Sequence, residues 1–222
     1  MIVGSTKEDL TLERRVALTP DSAKNIIKLG LKISIEKNYA EHIGITDNEY
    51  LNAGVEIKNT SDDIFNTCDL LIKVNCPSES EINKLKQNTI LVGMLNPNKN
   101  KKLISEIGKK KINIFSLELL PRITRAQSMD VLSSQSNLAG YRAVIDSIFE
   151  FEKAVPMMMT AAGTVPAAKI LVIGAGVAGL QAIATAKRLG AIVSATDVRS
   201  ASKEQVESLG GKFLTVDKSE DM

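Results

Sequence analysis

Lys169-Ile-Leu-Val-Ile-Gly-Ala-Gly-Val-Ala-Gly179, with Asp197 one strand later, decides how this chain folds. Lys169–Ile173 is almost wholly apolar and rich in β-branched residues, the composition of a buried strand. A glycine turn then opens a helix from about Val177 to Leu189. A second apolar run, Ala191–Thr196, ends directly on the acid. The three glycines have separate tasks. Gly174 permits the tight turn, Gly176 lets the backbone approach a pyrophosphate, and Gly179 lets the helix pack closely on the strand. The helix N-terminus offers unpaired N–H groups and the positive end of its dipole to phosphates. Asp197 stands where a carboxylate accepts hydrogen bonds from both hydroxyls of an adenosine ribose. Strand, turn, helix, strand and acid in register point to dinucleotide binding, where a glycine pattern alone is weak evidence and tight packing is the bland alternative.

A membrane reading of the same region fails on its own pattern. Residues 154–186 carry only Lys169, Gln181 and a few hydroxyls as polar groups, long enough to span a bilayer. Pro156, Gly163 and Pro166 break the first half, and the second half changes from β-branched residues to an alanine-rich helix across the glycines. A buried strand–turn–helix explains that change, so no transmembrane segment is expected.

Composition sets the outer bounds. The 222 residues are 44% hydrophobic and 24% charged, the profile of a globular protein with one large or two ordinary domains. A net charge of +2 makes no electrostatic case for nucleic acid. Aromatic residues are 4% with no tryptophan, which argues against recognition by stacking. Cys68 and Cys76 have neither metal-site nor disulfide-framework spacing and read as free thiols in a reducing compartment. No signal peptide is expected at the N-terminus.

The N-terminal half of the chain also alternates strands and helices. Apolar runs near Met1–Val3, Leu31–Ile35, Leu70–Val74, Ile90–Met94 and Ile112–Phe115 read as strands. Thr19-Pro20 is a cap followed by proline at the first helical position, and Gly30 closes that helix. Thr46 with Glu49 and Ser78 with Glu81 have capping-box spacing, and Asn96-Pro97 reads as another helix start, ended near Gly108. Alternation of this kind predicts a mostly parallel sheet covered by helices. The expected fold class is therefore α/β, with two Rossmann-like three-layer units. Residues 1–125 would form the first. Residues 126–222 would form a linker helix and the first half of a dinucleotide-binding unit. Arg122–Gln127 is expected as a loop after Pro121, followed by a long helix from about Ser128 to Lys153. Gln127, Asp130 and Ser133 are spaced to share one face of that helix start.

The string Arg122-Ile-Thr-Arg-Ala-Gln-Ser-Met-Asp-Val-Leu-Ser-Ser-Gln-Ser-Asn-Leu-Ala-Gly-Tyr-Arg-Ala-Val144 closely resembles the α subunit of the proton-translocating NAD(P) transhydrogenases, in its NAD(H)-binding domain. Arg14-Arg-Val-Ala-Leu-Thr-Pro20 resembles that family's opening motif, shared with alanine dehydrogenases. Gly174–Gly179 and Asp197-Val-Arg199 are similar to its dinucleotide fold. The resemblance covers essentially the whole chain. It implies hydride transfer from NADH bound here to NADP⁺ on a partner subunit or domain, coupled to proton movement through membrane subunits. Carried over by position, Gln127 and Asp130 would hold the nicotinamide carboxamide and its ribose, with Arg122, Ser128, Met129 and Ser133 completing that region. Val177 would contact the pyrophosphate, while Asp197, Val198 and Arg199 flank the adenosine ribose. The same resemblance implies a homodimer lying peripherally at the cytoplasmic face of the inner membrane. Independently of it, the Asp197 carboxylate pairs with a free 2′-hydroxyl and repels a 2′-phosphate, so NAD(H) is expected over NADP(H).

Two rival readings follow. An alanine dehydrogenase resembles this chain in the Rossmann core and at Arg15 and Lys73, which would clamp a substrate carboxylate. The histidine expected near Val92–Asn96 is replaced by Val-Gly-Met-Leu-Asn, and the lone His42 lies in a loop-like context. The second rival is a non-catalytic remnant. After a short helix near Lys203–Leu209 and a strand near Lys212–Val216 the sequence given ends at Met222. On that reading the dinucleotide fold is incomplete, the product truncated or a fragment, and the strand at Ile170–Ile173 keeps an unpaired edge.

Overall fold

The computed structural model describes residues 1–215 and divides into two compact units, one ending at Asp130 and the next beginning at Val131. The first unit alternates strand and helix: β1 (Ile2–Ser5), α1 (Pro20–Lys28), β2 (Lys32–Glu36), α2 (Asp47–Asn52), β3 (Glu56–Lys58), α3 (Ser61–Thr67), β4 (Leu70–Asn75), α4 (Glu79–Lys84), β5 (Ile90–Met94), α5 (Lys101–Lys109) and β6 (Asn113–Ser116). All its ladders are parallel, in the order β3-β2-β1-β4-β5-β6. Successive residues of a strand face opposite sides. Leu71 of β4 accordingly joins one core with Ile64, Leu91 and Ile107, while Leu70 and Ile72 pack against another around Val3, Ile33 and Tyr50. Helices therefore cover both faces, as the alternating pattern predicts.

Local chemistry sets the helix starts. Thr19 caps α1 with Ser22 in a capping box and Pro20 at the first position, and Gly30 takes a φ of 84° beyond its end. Thr46 with Glu49 and Ser78 with Glu81 form the capping boxes of α2 and α4. Two elements depart from expectation. Asn96 takes a φ of 48°, a turn conformation, and Asn100 follows before α5 begins at Lys101, so Asn96-Pro97 does not start the helix. β3 and α3 are additional elements; β3 is three residues long and its charged ends hide it from an apolar-run reading.

The second unit opens with α6 (Val131–Phe151), followed by an antiparallel hairpin, β7 (Met158–Thr160) with β8 (Gly163–Val165), which no strand expectation covers. Then come β9 (Lys169–Ile173), α7 (Val177–Arg188), β10 (Ile192–Thr196), α8 (Ser202–Ser208) and β11 (Lys212–Phe213). Val216, the expected end of that last strand, lies outside the described residues. The three strands are parallel in the order β11-β10-β9, and among the described residues β9 pairs only with β10. Ile183, Ala186, Val193, Ala195 and Val206 form the core, while Leu171 and Ile173 of β9 are exposed. No helix among the described residues is long and apolar enough to cross a membrane.

α6 meets α7 at a glycine. A Cβ placed on Gly140 would strike the backbone carbonyl of Ala178, so the two helices approach more closely than any side chain allows. Gly140→Ala is expected to lower stability by about 1–3 kcal/mol, the scale of an overpacked core site, measured by urea denaturation of the whole chain.

Candidate dinucleotide site

The turn after β9 is built by glycines in three different ways. Gly174 takes a φ of 96°, open to glycine at no steric cost. Nothing lies within 4 Å of the Cβ position at Gly176, so one side of the backbone is open there. A Cβ on Gly179 would collide with the Gly174 carbonyl, which fixes α7 against the turn. Gly176 is the N-cap of α7 and supplies no side-chain hydrogen bond, so no capping side chain serves that helix start.

Backbone hydrogen bonds lock the end of β10 and Asp197 to the turn. The Ala175 N–H donates to its Oδ2 at 2.6 Å, and the Gly174 N–H donates to the Thr196 carbonyl at 2.8 Å. The Arg199 N–H donates to Oδ1 at 2.8 Å, and the Arg199 guanidinium reaches both carboxylate oxygens at 3.0 Å. The Asp197 side chain is 5% exposed and that of Arg199 62% exposed, so the acid is enclosed while its arginine partner lies largely in solvent. Hydrogen bonds from the Arg199 side chain, then from the Arg199 and Ala175 backbone, hold the Asp197 carboxyl far below the usual carboxylate range. A cavity of about 880 Å³ opens beside this acid, lined by Gly174, Asp197, Val198, Ser200, Lys203 and Phe213. Ser200, Lys203 and Phe213 are additions to the expected set. The strand-then-acid signal stops at Asp197, and Phe213 arrives from β11, which only the fold brings alongside. A second cavity of about 440 Å³, between α6 and β9, is lined largely by aliphatic side chains such as Val144, Ile148 and Val172.

The second unit thus brings together Gly174, Gly176, Val177, Gly179, Asp197, Val198 and Arg199 at the C-terminal ends of β9 and β10. The other expected residues divide differently. Thr124–Met129 form a 3-10 turn in place of the loop expected over Arg122–Gln127, and Gln127, Ser128 and Met129 sit on it. Asp130 follows with a non-helical ψ of 89°, and α6 begins only at Val131. Gln127, Asp130 and Ser133 consequently do not share one helix face, because the chain changes conformation between them.

The residues expected to clamp a carboxylate are held by internal acids. Arg15 donates to Glu13 through Nη2 at 2.6 Å and Nε at 2.9 Å. Lys73 lies 2.7 Å from Glu81 and 3.8 Å from Glu8. Burial pushes Glu81 upward, but the hydrogen bond and charge of Lys73 outweigh it and leave the group below its ordinary value. Glu8 is raised, because burial outweighs the charge of Lys73. His42 contacts the Arg14 carbonyl at 2.7 Å through Nε2.

Residues 4–139 match the sequence profile of the alanine dehydrogenase/PNT N-terminal domain, and residues 143–222 that of the alanine dehydrogenase/PNT C-terminal domain. The chain belongs to the alanine dehydrogenase/PNT family. Within this family it is 50% identical to an NAD(P) transhydrogenase subunit alpha polypeptide of Rhodospirillum rubrum, over 98% of this chain and 58% of that protein. The corresponding polypeptide of Rickettsia prowazekii is 48% identical, over 100% of this chain and 59% of that protein. An alanine dehydrogenase of Methanococcus maripaludis is 30% identical, over 97% and 58% respectively. The crystal structure of the transhydrogenase from Sinorhizobium meliloti matches with a TM-score of 0.93 and 52% identity, covering 97% of this chain and 64% of that one. An L-alanine dehydrogenase at 23% identity shares the fold, with a TM-score of 0.83. The chain spans 58–59% of the length of the two transhydrogenase subunits.

The bonds around Asp197 predict an acid response. A carboxylate with a depressed folded pKa adds stability above its unfolded value, 3.8, and loses it as pH falls toward the folded value. Asp197→Asn is therefore expected to show a shallower loss of stability than wild type below about pH 4, with the two curves differing by a constant offset above about pH 5. Urea midpoints across the acid range measure it, and parallel curves would contradict the assignment.

Proposed function

We propose that this chain is the NAD(H)-binding component of a proton-translocating NAD(P) transhydrogenase. The observation that carries the reading is the Asp197 carboxylate, tied at 2.6 Å to the glycine turn and facing the large cavity. Bound nicotinamide cofactor supplies the hydride, which passes from NADH to NADP⁺ held by a partner subunit. No covalent intermediate is needed, so the protein positions the ring, excludes water and sets the field around it.

The turn is suited to the pyrophosphate. Gly176 has an open backbone face, Val177 begins α7, and no capping side chain serves that helix start. Asp197 selects for the adenosine ribose of NAD(H), since its charge repels a 2′-phosphate. Asp197 would accept the ribose hydroxyls in place of the Arg199 guanidinium, while the Ala175 N–H keeps the carboxylate in place. Val198 and Arg199 then flank the ribose. By resemblance, Gln127 and Asp130 hold the carboxamide and the nicotinamide ribose, with Arg122, Ser128, Met129 and Ser133 beside them. The partners on this reading are NADP(H)-binding and membrane subunits and a second copy of this chain, at the cytoplasmic face of the inner membrane. An alanine dehydrogenase reading is not favoured, because Arg15 and Lys73 are held by the chain's own glutamates.

Calorimetric titration of NADH into the chain tests the site. Asp197→Ala is expected to weaken NADH binding by roughly 10- to 100-fold, the scale of lost charge-assisted hydrogen bonds, and to narrow the preference over NADPH. An unchanged ratio would remove Asp197 from the ribose. With the partner subunits restored in vesicles, Gln127→Ala and Asp130→Ala are expected to slow NADP⁺ reduction more than they weaken NADH binding. Equal losses in both would point to a purely structural role for this turn.

A further inference from the structure

The first unit has a switch point of its own. β2 and β3 leave β1 to one side, and β4, β5 and β6 leave it to the other. In an open parallel sheet the reversal opens a crevice beyond the C-terminal strand ends, where ligands bind. Here the strand ends at the reversal carry the chain's own charges. β1 runs out into Thr6, Lys7 and Glu8, and β4 ends with Lys73, Val74 and Asn75.

Lys73 is 5% exposed, and its ammonium faces three oxygen partners. It donates to Glu81 Oε1 at 2.7 Å and to the Lys7 carbonyl at 3.4 Å, with Glu8 Oε2 at 3.8 Å. Both acids are themselves pinned. Glu81 Oε2 accepts from the Ser78 N–H at 2.8 Å and the Ser78 hydroxyl at 2.9 Å, and Glu8 Oε1 accepts from the Val74 N–H at 2.8 Å. Next to them, Thr6 is 1% exposed and its Oγ1 has no hydrogen-bond partner. The helix after β1 is closed as well. Where α7 begins on a bare glycine, the first turn of α1 is occupied by the Thr19–Ser22 capping box.

We infer that the first unit carries a self-occupied anion site, in which Glu81, with Glu8 behind it, fills the anion position of the buried Lys73 ammonium and excludes free carboxylates and phosphates. A buried cation at a switch point has the chemistry of a carboxylate or phosphate site. This one is satisfied internally, which makes the first unit a scaffold closed to nucleotides. The inference rests on that unit alone and does not depend on the proposed NAD(H) reading.

Chemical rescue tests it in the full 222-residue chain. Thermal unfolding of wild type and Glu81→Ala is followed in sodium formate and in sodium chloride at equal ionic strength, up to about 0.1 M. The wild-type midpoint is expected to be the same in both salts. Glu81→Ala is expected to unfold several degrees lower in chloride and to recover some of that loss, saturably, in formate. Glu81→Ala/Lys73→Met is expected to lose the formate response. A saturable formate shift in wild type, or a folded Glu81→Ala chain indifferent to formate, overturns the inference. Should Glu81→Ala fail to fold in chloride, refolding from urea into formate gives the same reading: recovery supports the site, and no recovery overturns it.

Discussion

The hydrogen bond from the Ala175 N–H to the Asp197 carboxylate connects two elements that are far apart in sequence and adjacent in the sheet. It spans the C-terminal ends of β9 and β10, where Ile173 stands opposite Thr196 and the Gly174 N–H donates to the Thr196 carbonyl. The turn cannot tilt without stretching this bond, and the acid cannot leave without leaving a backbone donor unpaired in a half-buried place. Gly179 adds the constraint from the other side, since only a glycine lets α7 start this close to the Gly174 carbonyl. The acid and the open backbone of Gly176 therefore keep a fixed separation before any ligand arrives. On the proposed reading, that separation is the preorganisation that recognition of a dinucleotide needs.

The two units use one architecture and treat charge in opposite ways. In the second, no side chain caps the helix start and the acid's partner is an arginine largely in solvent. In the first, the corresponding helix start is capped, and the buried lysine is enclosed by two glutamates that are anchored by backbone donors. Fold likeness between the halves is therefore no argument for likeness of function. The difference lies in whether polar groups at the strand ends are left for a ligand or satisfied by the chain.

Much of the fold is legible in the sequence because it is local. The run Lys169–Gly179 encodes strand, turn and helix in consecutive residues, and Thr19-Pro20, Thr46 with Glu49 and Ser78 with Glu81 encode helix starts within four residues. What escapes is what depends on distant partners. β3 exists because β2 offers an edge, with Ile57 beside Ile35, and its own three residues carry little signal. Asn96 has the residue type of a cap, but its backbone turns left-handed while its N–H donates to the Glu118 carboxylate. Gly140 reads as one more helical glycine, and only the crossing with α7 shows why a side chain is excluded there. Ser200, Lys203 and Phe213 join the cavity through the placement of α8 and β11.

The order of strands in the first unit also bears on how the chain assembles. β1 is made first, yet it lies in the middle of the sheet, and its second neighbour is β4, with Val3 beside Leu70. Until that residue has left the ribosome, β1 pairs on one side only, through Ile2–Ser5 with Lys32–Ile35. Closing so long a loop is entropically costly and slows folding relative to local contacts. Val3 and its neighbours thus spend the interval as an open, apolar strand edge. Such an edge invites wrong partners until β4 covers it.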